Sequence, residues 1–154
     1  MADDHDRDGS RARAGGWART VGRWVLGLFL LFAGLSHLTW ARSEFLAQVP
    51  GWMPLDADLV VIASGVVEVA LGAALLLARQ GRWRVLVGWV VAAFFVAIFP
   101  GNISQFVTGT DAFGLESDLA RGARLLFQPV LVVWALWCTR AWADRPALLR
   151  RSRD

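Results

Sequence analysis

Between Leu59 and Ala78 the chain runs through apolar and small residues with a single ionisable side chain, Glu68, near the middle. A run of about twenty such residues is the length a helix needs to cross the hydrocarbon of a bilayer. A charged acid at the centre of such a helix costs about 2.5 kcal/mol or more, so Glu68 has to face protein rather than lipid. What Glu68 faces is the question that orders the rest of the chain.

Three further apolar runs answer for the architecture. The first covers Val21 to Ala41, the third runs from about Trp83 to Phe106, and the fourth from about Leu119 to Thr139. Arginines precede the first run as they would in a secretory signal, but it is longer than the apolar part of one and no cleavage site follows Trp40. Pro100 lies inside the third run, where it removes a backbone donor and crowds the Val96 carbonyl. Because residues 102–106 still suit a helix, the prediction is a kink at Pro100 and not an end. With 56% hydrophobic residues in 154, the chain is too apolar for a soluble domain of this size. These features define an all-α, polytopic membrane protein with spans at about 21–41, 59–78, 83–106 and 119–139. Short connections make an antiparallel four-helix bundle the natural arrangement. A disordered tail is expected over residues 1–20, up to about Gly16 without structure, and a basic tail over 140–154.

Between Arg42 and Asp58, Phe45, Leu46, Val49, Trp52 and Met53 have helix-like spacing, while Pro50 and Pro54 forbid a long helix. This reads as a short amphipathic segment in the membrane interface, with Trp40 and Trp52 at headgroup level; a plain connecting loop is the alternative. Residues 107–118 read as an acidic loop through Asp111, Glu116 and Asp118. Every basic residue is Arg, and all but Arg42, Arg121 and Arg124 lie in the N-terminal part, the Arg79 to Arg84 turn or the C-terminal tail. The positive-inside rule therefore puts both termini in the cytoplasm. Arginines spread between apolar runs are not the footprint of nucleic-acid binding, despite a pI near 10.8. Cys138 is the lone cysteine, so the chain has no dithiol of its own.

Side chains lean toward the N-terminus of their helix, and that end is outside for the second span but inside for the first. Glu68 and His37 therefore converge. On the fourth span Arg121, Arg124, Gln128, Leu131, Ala135 and Cys138 form one inward stripe, which brings Arg124 above Glu68 as a roof and Gln128 level with it. The predicted site is a buried polar cluster of His37, Glu68, Arg124 and Gln128, with Asn102 at its upper edge satisfying the carbonyl freed by Pro100. No metal is expected there.

The order Ala33-Gly34-Leu35-Ser36-His37, Val49-Pro50-Gly51-Trp52-Met53-Pro54, Ser64-Gly65-Val66-Val67-Glu68 with Leu71-Gly72, Phe99-Pro100-Gly101-Asn102-Ile103 and Arg124-Leu125-Leu126-Phe127-Gln128-Pro129 resembles the DoxX family of small bacterial membrane proteins. The resemblance covers about Val21 to Trp137. It implies a four-helix bundle of the bacterial plasma (inner) membrane, similar in layout to the vitamin K epoxide reductase bundle but without that group's paired cysteines. Most members have no assigned activity, and the name-giving branch is associated with thiosulfate:quinone oxidoreductase. Two functions follow as expectations. The first is an accessory or scaffold subunit, with the bilayer, a membrane or redox protein, or a second copy of the chain as partner. The alternative is a quinone-linked component that binds a quinone, or a similar apolar molecule, non-covalently in the outer half of the bundle.

Overall fold

The structure, a computed structural model, describes residues 3–110 and 117–145, with side chains from Gly15 onward. It contains helices α1 (Asp3–Leu38), α2 (Arg42–Leu46), α3 (Ala57–Leu77), α4 (Gly81–Thr108) and α5 (Asp118–Cys138), and no strand among the described residues. Four segments are long and apolar enough to cross a membrane: Gly15–Leu38, Ala57–Leu77, Gly81–Thr108 and Asp118–Cys138. The chain is a multi-pass membrane protein.

The ends of these helices follow local chemistry. Asp56 caps α3 by accepting from the Leu59 amide at 3.0 Å, and Ser117 caps α5 by accepting from the Ala120 amide at 3.2 Å. Helix α4 continues through Pro100 to Thr108 and stops at Gly109, whose φ of 65° is the left-handed geometry that glycine adopts without strain. The first helix differs from the sequence expectation. It begins at Asp3, where a tail without structure is predicted up to Gly16. No proline interrupts residues 3–20, so a helix nucleated in the first span propagates backward at little cost. The acidic residues Asp111 and Glu116, and the tail from residue 146, lie outside the described residues.

Helix α1 packs chiefly on α3, and α4 on α5. The α1·α3 contact is made by glycines. A Cβ added to Gly34 would lie 2.6 Å from the Gly65 carbonyl, and one added to Gly72 would lie 2.7 Å from the Gly27 carbonyl. Gly34 meeting Gly65 and Gly27 meeting Gly72 means that the two helices run in opposite directions at backbone contact, the use small residues have in membrane helix pairs.

Most of the buried apolar side chains gather in one half of the bundle, where Arg23 and Thr139 are buried as well. Leu26, Leu30, Leu75, Val91, Phe95, Leu131 and Ala135 fill the half that holds the C-terminal part of α3. The other half encloses His37, Glu68, Asn102, Gln105, Arg121 and Gln128, all buried. Outward faces are apolar, with Phe32, Leu77, Val107 and Leu126 exposed, which is the surface lipid accepts.

Candidate functional site

The glycine contact sets the central pair. His37 follows Gly34 by three residues and Glu68 follows Gly65 by three, so each side chain stands one turn beyond the closest backbone approach. His37 Nδ1 lies 3.0 Å from Glu68 Oε2, and both side chains are at least nine-tenths buried. Nδ1 also lies 2.9 Å from the Ala33 carbonyl one turn back. A carbonyl can only accept, so Nδ1 donates to Ala33, and Oε2 is left without a hydrogen-bond partner. The His37 to Glu68 contact is therefore electrostatic, with the N–H directed at Ala33. Phe45 stacks on the imidazole with ring centroids 3.3 Å apart and planes 17° from parallel, which fixes the ring plane.

The segment after α1 folds over this pair. Arg42 clamps it to the start of α3 through a two-pronged pair with Asp58, Nε to Oδ1 at 2.8 Å and Nη2 to Oδ2. Gln48 reaches the other side of the site, where its Oε1 accepts from Arg124 Nη2 at 2.6 Å. Arg124 also interacts electrostatically with Glu68. Gln48 Nε2 is buried and has no hydrogen-bond partner.

These groups surround a cavity of about 340 Å³. Its polar wall is His37, Glu68, Arg124, Asn102, Gln48 and Ser64, and its apolar wall includes Phe45, Val61, Ile98, Pro50 and Trp52. The cavity is thus apolar for most of its surface, with a cation, a carboxylate, an imidazole and two amides in its wall. Such a set can accept a proton from a hydroxyl, return it and hold the oxygen in place. Among the described residues no cluster of three or more His, Cys, Asp or Glu side chains converges as a metal site.

His37, Glu68, Arg124 and Asn102, the residues the sequence singles out, line this one cavity. Gln128 does not touch Glu68 as predicted. Its Oε1 accepts from Asn102 Nδ2 at 2.9 Å and its Nε2 donates to the Phe95 carbonyl at 2.7 Å. Asn102 thus donates to Gln128, not to the Val96 carbonyl that Pro100 frees. Arg121 pairs with Asp118 at 2.7 Å and does not line the cavity. Sequence reasoning missed Gln48 and Phe45. Both lie between Arg42 and Pro50, where helix-like apolar spacing predicts a short amphipathic segment in the membrane interface. Gln48 at the apolar edge of that segment was the available signal.

Four apolar spans enclosing a buried acid and imidazole beside a mostly apolar cavity define a membrane protein with an internal polar site. The chain belongs to the family described as a domain of unknown function (DUF8561), whose model matches residues 26–139 and so takes in every residue of the cavity. Comparison with curated proteins and with solved structures gives no match.

Proposed function

We propose that the cavity binds a small apolar molecule carrying a hydroxyl or carbonyl head, of the quinone and quinol kind, non-covalently within an antiparallel four-helix membrane bundle. The observation that carries this reading is Glu68, a buried acid that lines the cavity and whose Oε2 has no hydrogen-bond partner, only the close contact with His37 at 3.0 Å. A residue serving only to fasten helices satisfies its own polar atoms, as Gln128 does with both ends of its amide. Glu68 and Gln48 each keep a polar atom without a hydrogen-bond partner, and both side chains line one cavity. A ligand hydroxyl donates to Glu68, a ligand oxygen accepts from Gln48 or Arg124, and an apolar ring lies against Val61, Ile98 and Phe45. A volume of about 340 Å³ is at the small end of pockets that hold small molecules. It suits a single-ring head with its tail directed outward.

The arginine distribution supports cytoplasmic termini and a cavity in the outward half, with the Trp52 segment at the membrane interface. The resemblance of its motif order to that of DoxX proteins supports a bacterial inner membrane and is compatible with a larger assembly in which this chain is the ligand-binding or accessory subunit. The test is titration of a short-tailed quinone into purified protein, read by quenching of tryptophan fluorescence. Wild type should bind saturably, and Glu68→Gln should bind about tenfold or more weakly, the loss expected for one charge-assisted hydrogen bond. Equal affinity in the two proteins, or a stoichiometric protein partner and no small-molecule binding, would refute ligand binding at this site.

A further inference from the structure

At the opposite end of the bundle from the cavity, α5 ends in a second concavity that the function above does not use. It measures about 400 Å³, and Val133, Leu136, Trp137 and Trp142 make its wall apolar while Arg19 and Arg140 stand on it. No acidic residue lines it; Asp144 lies near and is held by Arg84 and Arg140, each at 3.2 Å. Arg145 adds charge on the same side, its guanidinium 5.0 Å from the centre of the Trp142 ring. Arg140 also occupies a backbone position that favours glycine. After α5 the Arg140 amide bonds the Trp137 carbonyl and the Ala141 amide bonds the Leu136 carbonyl, a helix-ending turn that puts Arg140 at φ 58°, the one described non-glycine residue with positive φ. An arginine at that position is strained for its backbone, and its side chain, paired with Asp144 at 3.2 Å, stands at the groove.

We propose that this groove is a binding site for one anionic phospholipid, its phosphate held by Arg19 and Arg140 and an acyl chain lying on Trp137, Val133 and Leu136. The occupant follows from two complementarities: net positive charge at the rim against a phosphate, and an apolar floor continuous with the lipid-facing side of α5 against a hydrocarbon chain. A free phosphate uses only the first.

The experiment is native mass spectrometry of the full chain released from micelles supplied with phosphatidylglycerol, phosphatidylcholine or inorganic phosphate, with melting temperatures measured in parallel. One phosphatidylglycerol should remain per chain and raise the melting temperature, whereas phosphatidylcholine and phosphate should do neither. Arg19→Gln should weaken retention about fivefold, the share of one surface arginine. Arg140→Gly is the decisive variant because glycine suits the turn: its lipid-free melting temperature should hold or rise while phosphatidylglycerol is lost. Equal retention of both lipids, an equal effect of phosphate, or full retention by Arg140→Gly would each overturn the proposal.

Discussion

Glu68 and Gln128 are both 6% exposed polar residues inside a membrane protein, yet their surroundings give them opposite roles. Gln128 closes a chain of hydrogen bonds from Asn102 to the Phe95 carbonyl. Replacing it with leucine strands a donor and an acceptor, so Gln128→Leu should lose about 1–3 kcal/mol of stability, measured by unfolding in detergent. Glu68 carries an oxygen without a hydrogen-bond partner, and His37 keeps the Ala33 carbonyl without it. Glu68→Leu removes the desolvation cost of that oxygen but also the acid beside His37 and Arg124, so it should lower the melting temperature by less than Gln128→Leu does. A fall in stability as large as that of Gln128→Leu would show that Glu68 is a fastener.

At the scale of elements, the α1·α3 glycine contact is what sets the distance between His37 and Glu68. Gly34→Val should push the helices apart, since even its Cβ would sit 2.6 Å from the Gly65 carbonyl and 2.8 Å from the Val69 amide nitrogen. We expect a loss of about 1–3 kcal/mol from overpacking, with ligand binding lost as well. Gly51→Ala, with nothing within 4 Å of the added carbon, is the control that should change neither. An unaltered melting temperature for Gly34→Val would contradict the contact. The spans themselves were legible in the sequence because length and hydropathy alone decide them: Ala57–Leu77 and Asp118–Cys138 lie within two residues of the predicted limits. The start of α1 was not, because a charged stretch without proline carries no signal that separates a helix continuing from a span from a tail. The turn of residues 42–54 onto the cavity was not legible either. Amphipathic spacing says that Phe45 and Val49 are buried on something, and only the fold says that it is His37 and the cavity wall and not lipid.

For the whole molecule, opposite running of α1 and α3 and the lean of side chains made the His37 to Glu68 meeting readable in advance. Gln128 was misplaced because its depth matched Glu68, whereas its partner was decided by Asn102 on the neighbouring helix α4. Orientation in the membrane rests on the arginines and has its own check. In intact cells carrying Cys138→Ala, a cysteine placed at Asp111 should react with an impermeant reagent and one placed at Ser10 or Ser152 should not; the reverse pattern would invert the molecule and put the cavity in the cytoplasmic half. The central claim, that the cavity holds a small apolar molecule through Glu68, is tested most directly by solvent extraction of the purified protein. Mass spectrometry of the extract should find close to one such molecule per wild-type chain and little in equally folded Glu68→Gln. The same recovery from both, or none from either, would contradict it.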